Sequence, residues 1–296
     1  MMIILSQLFL GLINGCFYAV LSLGLAIIFG MLNIVNFAHG ALYMLGAFFG
    51  WICLTQLGTW TGVEGLSLNY WWALLVVPIV VGALGMVFER VFLRRLRQVD
   101  PVYGMLLTFG FALVLEGLFR NYFGVSGQPY ALPAQFRGAV DVGFMFVPKY
   151  RLWVVVASLV VCAAVWYFIE RTRLGSYLRA GTENAAIAQA LGINVPLLVS
   201  LTYGVGVALA ALTGVLAAPI LQVSSGMGSE LNIIIFAVVV VGGMGSIGGA
   251  ILTGLGLGLL EAVVTIIYPE AAAIVIFVIM SVVLLFKPAG LFGKEA

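Results

Sequence analysis

Residues 3–30 read IILSQLFLGLINGCFYAVLSLGLAIIFG, a continuous apolar stretch without a single Lys, Arg, Asp or Glu. A helix needs about 20 apolar residues to cross the hydrocarbon core of a bilayer, whereas a transmembrane strand needs only about 9–11 residues of alternating character. The stretch is long and unbroken, and it therefore predicts a membrane-spanning helix. Because similar runs recur along the rest of the chain, a β-barrel is excluded.

The composition of the whole chain agrees with this interpretation. Charged residues make up 8% of the 296 residues and hydrophobic residues 64%, whereas soluble domains usually have about 25% and about 45–50%. No charged residue occurs from Met1 to Val63, from Asn184 to Ser229 or from Leu231 to Leu260. Stretches this long cannot form the polar exterior of a soluble enzyme or a nucleic-acid binder, and the chain is too apolar to be disordered.

The apolar runs predict an all-α polytopic membrane protein with eight or nine membrane-embedded helical elements, in one transmembrane domain over residues 1–296. The predicted elements cover residues 3–30, 37–57, 71–93, 100–123, 152–169, 196–219, 231–241, 250–268 and 271–286. Nine full crossings place the N-terminus outside. A half-membrane hairpin at the 33–40 bend or in the 231–249 stretch instead gives eight crossings and an N-terminus inside, and both alternatives stay open.

The distribution of Lys and Arg predicts the orientation, because cytoplasmic loops carry an excess of these residues. Segments 89–100, 170–183 and 287–295 hold 4, 3 and 2 basic residues. We therefore expect these segments, including the C-terminus, to be cytoplasmic. The polar stretch 124–151, which contains Pro and Gly, is then an external loop.

The sequence predicts no enzymatic centre, metal site or cofactor. Cys16, Cys53 and Cys162 lie far apart in apolar stretches, and His39 is the single His of the chain. Free Cys in such surroundings packs as a small hydrophobic residue. The chain also lacks the Gly-x4-Gly-Lys-Ser/Thr loop that cradles nucleotide phosphates. We therefore expect a protein that is not an enzyme and does not itself bind ATP.

Polar groups inside apolar helices are the candidates for a translocation path, because an ionisable residue there costs about 2.5–3.5 kcal/mol and is usually functional. Glu116 has Arg120 one turn later, and a helical ion pair is the alternative role. Glu261 either lines a path or joins two helices. Asn36 and His39 either line the path or fix a bend. The path candidates are Asn14, Asn36, His39, Glu116 and Glu261.

The cytoplasmic segment 170–194 predicts a short amphipathic helix. Thr182 is a candidate cap and Gly192 a candidate end, and the apolar face consists of Ile187, Ala190 and Leu191. This helix either lies on the membrane surface or docks a soluble partner. A glycine hinge is predicted further along, at Gly242, Gly243, Gly245, Gly248 and Gly249.

Several blocks of the sequence resemble one known family. The blocks are Gly11-Leu-Ile-Asn-Gly15-Cys-Phe-Tyr-Ala19, Asn36-Phe-Ala-His-Gly40, the 173–194 segment, the glycine hinge and Lys287-Pro-Ala-Gly-Leu-Phe-Gly. In this order they resemble the branched-chain amino acid ABC transporter permeases, specifically the Liv-type "H" subunit family. The resemblance covers nearly the whole chain.

The resemblance implies a permease subunit of an ATP-driven importer in the bacterial inner (plasma) membrane, which moves branched-chain or other hydrophobic amino acids by alternating access. It also implies a second permease subunit in a heterodimer, two cytoplasmic ATP-binding subunits and a periplasmic substrate-binding protein. The alternatives are a urea or short-amide permease and an ion-coupled secondary transporter. The residues implied to couple to the ATPase are Arg173, Arg179, Thr182, Glu183, Ile187, Ala190, Leu191 and Gly192.

Overall fold

The computed structural model describes residues 2–32, 34–57, 68–96, 100–130, 132–143 and 145–293, and these are mostly helical. A π-helical stretch, Glu89–Leu93, and one further turn, Arg94–Leu96, continue the third helix. The main elements, in chain order, are α1 (Met2–Leu32), α2 (His39–Thr55), α3 (Tyr70–Phe88), α4 (Pro101–Phe123), β1 (Ala139–Asp141), β2 (Phe146–Pro148), α5 (Lys149–Arg171), α6 (Arg173–Glu183), α7 (Ala185–Ala190), α8 (Val195–Leu221), α9 (Met227–Gly242), α10 (Ile247–Ile267) and α11 (Ala272–Phe286).

Seven helices among the described residues are long and apolar enough to cross a membrane: α1, α3 with its continuation, α4, α5, α8, α10 and α11 with the turn before it. Two further apolar helices, α2 and α9, are shorter. Most of α9 lies in the 231–249 stretch and α2 begins at the end of the 33–40 bend, the two places where the sequence predicts a half-membrane element. The all-α polytopic fold with eight or nine apolar elements is thereby confirmed.

The helix boundaries follow from local sequence chemistry. The Asp100 carboxylate accepts a hydrogen bond from the Val102 N–H at 2.8 Å, and Pro101 occupies the first helical position of α4. This is the predicted start, since Pro has no N–H to leave unpaired in the first turn. The Asn194 side chain accepts from the Leu197 N–H at 3.1 Å where α8 begins.

The helices form two compact units. The first unit comprises Met1–Leu32, Ala134–Val199 and Ile233–Ala296. Its centre is the close contact of α1 with α10, in which a Cβ added at Gly258 would lie 2.3 Å from the Gly15 Cα. A Cβ added at Gly254 would lie 2.6 Å from the Ala19 Cα. Small residues four apart thus let the two backbones touch, as is usual for helices in lipid.

The second unit comprises Asn33–Pro133 and Ser200–Asn232. It is assembled by the same means, around the contact of α2 and α3 with α8. A Cβ added at Gly46 would lie 2.4 Å from the Ala211 Cα, and one added at Gly82 would lie 2.9 Å from the Gly204 carbonyl oxygen. The glycines therefore determine how closely the helices of this unit approach one another.

Glycine packing in the first unit gives a testable prediction. Gly258→Val places a branched side chain against the backbone of α1, and we expect it to destabilise the protein by about 1–3 kcal/mol, as overpacking usually does. The measurement is the thermal midpoint of the purified protein in detergent. Gly256→Val is the matched control, because an added Cβ at Gly256 meets nothing within 4 Å. An equal loss of stability in both variants would contradict the packing argument.

Candidate functional site

The predicted bend before α2 forms one buried feature of the second unit. Asn36 and His39 are both almost fully buried. The Asn36 Oδ1 accepts a hydrogen bond from the Ala38 N–H at 3.2 Å, which turns the chain into the first residue of α2. Asn36 therefore has the bend-forming role that was one of its two predicted alternatives. Its role in a path, and that of His39, stays a prediction. Asn33, the first residue of the predicted bend, lies outside the described residues.

A second Asn, on α9, stabilises this bend, and sequence reasoning missed it. The Asn232 side chain accepts from the Gly40 N–H at 3.1 Å and donates to the Phe37 carbonyl at 3.0 Å. The Phe37 N–H in turn donates to the Thr108 hydroxyl at 3.2 Å. Polar atoms that would otherwise be unsatisfied in an apolar interior are paired in this way. Its position as a polar residue in the apolar run predicted over residues 231–241 was the signal in the sequence.

Glu89 is a buried charged residue that the sequence does not single out as a candidate. It opens the π-helical stretch after α3 and is 1% exposed. The Ser200 hydroxyl donates a hydrogen bond to the Glu89 carboxylate at 2.5 Å. The Tyr203 hydroxyl is close enough to interact with both Glu89 and Asn36. Neither of the two ion pairs within the described ranges involves Glu89.

The position of Glu89 in a π-helical turn and its burial indicate a specific role for this residue. π-Helical turns are rare and occur frequently at functional sites, and a buried carboxylate is expensive unless its oxygens are hydrogen-bonded. Because Glu89 precedes four arginines in the sequence, it is easily counted with the charged cytoplasmic segment. It also falls inside the apolar run predicted over residues 71–93, and that was the available signal.

The other path candidates have different surroundings. In the second unit, Glu116 forms the predicted ion pair with Arg120, with 2.7 Å between Oε1 and Nη2. In the first unit, Glu261 accepts a hydrogen bond from the Tyr18 hydroxyl at 2.9 Å, and so links α10 to α1. Asn14 is exposed on α1. A path role for these residues remains a prediction.

The segment after α5 consists of two short helices, α6 and α7. The predicted cap is wrong: Thr182 lies inside α6 and donates to the Arg179 carbonyl, whereas the Asn184 side chain caps α7 by accepting from the Ile187 N–H at 3.0 Å. Both residues are good N-caps, and α6 extends past Thr182 to Glu183. The predicted end is confirmed, since Gly192 has a φ of 86° just after α7.

The predicted apolar face of α7 is exposed. Ile187 and Leu191, the residue that directly follows α7, are 59% and 77% exposed, and Ala190 is exposed as well. Ala188, next to this face on the same helix, is buried. The polar residues implied to couple to the ATPase are also exposed, namely Arg173, Arg179, Thr182 and Glu183. Arg179 lies 3.5 Å from the Glu170 carboxylate.

The predicted glycine hinge forms the turn between α9 and α10. Gly243 and Gly245 have φ values of 95° and 84°, a left-handed conformation that glycine adopts without strain. A Cβ added at Gly249 would lie 2.1 Å from the Gly242 carbonyl oxygen, so the turn is tightly closed. At Gly248 an added Cβ would meet nothing within 4 Å. Movement at this turn stays a prediction.

The C-terminal block packs against the same turn. The Leu291 N–H donates to the Val241 carbonyl at 2.8 Å, and a Cβ added at Gly290 would lie 2.5 Å from the Gly243 Cα. Two of the sequence blocks that resemble the permease family are therefore in direct contact.

Apolar spans, a tight glycine turn and an exposed amphipathic helix define a polytopic α-helical membrane protein. Within the described ranges, no three His, Cys, Asp or Glu side chains are grouped as metal ligands would be. The family described as "Branched-chain amino acid transport system / permease component" matches residues 7–284. The chain belongs to this family. It is a permease subunit of an ABC transporter rather than an enzyme, and ATP hydrolysis in such systems occurs on separate subunits.

Individual relatives agree over nearly the whole length. The chain is 32% identical over 295 residues to the high-affinity branched-chain amino acid transport system permease protein BraD of Pseudomonas aeruginosa, covering 98% of this chain and 96% of the relative. It is 30% identical over 304 residues to the corresponding LivH protein of Escherichia coli strain K12, with the same coverage. PsaBC from Streptococcus pneumoniae in complex with Fab is similar at 12% identity and a TM-score of 0.45, covering 94% of this chain and 89% of that one, too weakly to bear on the fold.

The buried pair of Glu89 and Ser200 gives a second prediction. Ser200→Ala removes the donor and leaves a buried carboxylate poorly satisfied, so we expect a loss of about 1–3 kcal/mol. Adding Glu89→Leu to this variant should restore part of the stability, because an apolar pair replaces the buried charge. Thermal unfolding in detergent measures both effects. Ser281→Ala is the control, since its hydroxyl bonds only to the Phe277 carbonyl of its own exposed helix. A double variant less stable than Ser200→Ala alone would contradict the pairing.

Proposed function

We propose that this chain is a membrane-spanning subunit of an ATP-driven importer and translocates branched-chain or other hydrophobic amino acids by alternating access. The observation that carries the proposal is the exposed apolar face of α7, on a chain that belongs to the ABC permease family and has no phosphate-binding loop of its own. The energy for transport then comes from other chains that contact this face.

The physical argument rests on where the apolar side chains are. Within lipid, an exposed Leu or Ile gains little from contact with another protein. Outside the spans, burying such a side chain stabilises a complex by about 1.5–3 kcal/mol. Ile187 and Leu191 lie on a helix outside the seven candidate spans, so a soluble ATPase gains affinity by covering them. The other residues proposed to contact the ATPase are Arg173, Arg179, Thr182, Glu183, Ala190 and Gly192.

A helix as short as α7 is not stable alone, and its attachments suit a coupling element. The Asn184 cap, the buried Ala188 and the left-handed Gly192 hold it in one orientation. Only two residues, Ile193 and Asn194, separate Gly192 from α8. A displacement of α7 by an ATPase would therefore be passed directly to a membrane-spanning helix.

The proposed assembly follows from the family. Its members are components of transport systems, and the curated relatives are described as permease proteins of such systems. We propose a heterodimer with a second permease subunit, two cytoplasmic ATP-binding subunits and a periplasmic substrate-binding protein. The Arg-rich segments, with α6, α7 and the C-terminus, then face the cytoplasm from the inner membrane, and the loop containing β1 and β2 faces outward.

Uptake into proteoliposomes that contain the complete complex tests this function. We expect labelled leucine to accumulate only with ATP on the ATPase side and binding protein on the other side, and to do so when an uncoupler removes the ion gradient. Competition by unlabelled hydrophobic amino acids, but not by urea, is expected. A non-hydrolysable ATP analogue is the control. Uptake that depends on the ion gradient and does not require ATP would overturn the proposal and assign the chain to secondary transport.

A further inference from the structure

The second unit contains an apolar groove between α2, α3 and α4. Its volume is about 750 Å³. The floor consists of buried side chains, among them Leu42, Leu45 and Phe88, while the rim is exposed, with Val87 and Leu118 more than half accessible. The groove is therefore open along one side.

Aromatic rings line much of this groove and give it a smooth apolar wall. Phe88 stacks on Phe111 with 4.2 Å between ring centroids, and Phe119 and Phe123 continue the wall along α4. From Phe111 to Phe123 a helix rises about 18 Å. This exceeds half of the roughly 30 Å hydrocarbon core of a bilayer, so the groove has the depth of at least one leaflet.

The chemistry of the groove excludes several occupants. A zwitterionic amino acid would bury its charged groups among aliphatic and aromatic carbons, and this costs far more than its side chain gains. Water needs two to four polar partners, and the lining offers only the hydroxyls of Tyr122 and Tyr203. A second transmembrane helix packs closely where glycine and alanine line the contact, whereas Leu and Phe dominate here. An extended hydrocarbon chain fits all of these conditions.

Positive charge lies at one end of the groove. Phe92, half exposed on the rim, belongs to the π-helical stretch that also carries Arg90, and Arg94 and Arg95 follow directly. All three arginines are exposed. Neither ion pair in the described part of the chain involves them, and Glu89 beside them is buried. Clusters of basic residues next to a transmembrane helix attract anionic lipid headgroups.

We propose that this groove binds one acyl chain of an anionic phospholipid whose headgroup pairs with Arg90, Arg94 and Arg95. The groove accounts for the hydrocarbon part of this ligand and the arginines for its charge. The site lies entirely within the second unit and does not depend on the direction or energy source of transport.

The test is the amount of anionic phospholipid that stays with the protein after purification in mild detergent, measured by lipid extraction and mass spectrometry. Arg94→Gln combined with Arg95→Gln should weaken lipid binding roughly 30-fold, since each basic residue near the headgroups contributes about fivefold. Leu115→Trp, which fills the groove without changing charge, should also deplete the lipid. Both variants should keep the wild-type elution profile in size-exclusion chromatography.

Matched controls separate this site from general effects. Arg171→Gln combined with Lys287→Gln removes the same charge from exposed positions elsewhere, and Leu113→Trp enlarges an exposed residue of α4 that does not line the groove. Both controls should retain the lipid. Loss of lipid in the controls, or in the arginine variant but not in Leu115→Trp, would overturn the proposal. So would normal lipid content in Leu115→Trp with loss of a partner permease, because the groove would then be a protein interface.

Discussion

Helices inside a lipid bilayer gain little from burying apolar side chains against each other, and this constraint shapes the whole structure. Lipid tails are as apolar as Leu, so helix association depends on close backbone contact. The chain meets this requirement with glycine: Gly15 against Gly258 in the first unit, and Gly46 against Ala211 in the second. The same medium demands that buried polar groups be paired. The hydrogen bonds of Asn232 to the α2 bend satisfy this demand.

The constraint also indicates which apolar surfaces carry function. Exposed Leu, Ile and Phe side chains of the spans are compatible with contact to lipid, so their exposure alone requires no partner. Ile187 and Leu191 differ, because they lie on a short helix outside the spans, where water restores the hydrophobic effect. The few charged residues near the spans also differ in their surroundings. The exposed arginines after α3 lie at the end of an apolar groove, whereas Glu89 is buried and hydrogen-bonded to Ser200. The proposed docking of an ATPase and the proposed binding of a lipid thus both follow from the boundary between water and lipid.

Sequence reasoning predicts those parts of this fold that depend on local chemistry. Long apolar runs give the spanning helices, because the bilayer dictates their length and composition, and the Asp100 cap is read from neighbouring residues alone. Sequence reasoning fails where the local structure depends on tertiary context. Thr182 and Asn184 are both good caps by type, and the extent of α6 decides between them. The bond between Glu89 and Ser200 joins residues 111 positions apart, and no local pattern reveals it. The role of Asn232 is hidden for the same reason.

The most direct test of the central claim, that energy for transport enters through the apolar face of α7, is co-purification of the ATPase subunits with variants of this helix. We expect Leu191→Asp and Ile187→Asp to abolish co-purification, because a charge in a buried apolar contact is not compensated, while membrane insertion is unaffected. Gln189→Asp, which places the same charge on an exposed polar position of the same helix, should retain the ATPase. Full ATPase retention by Leu191→Asp and Ile187→Asp would contradict the account.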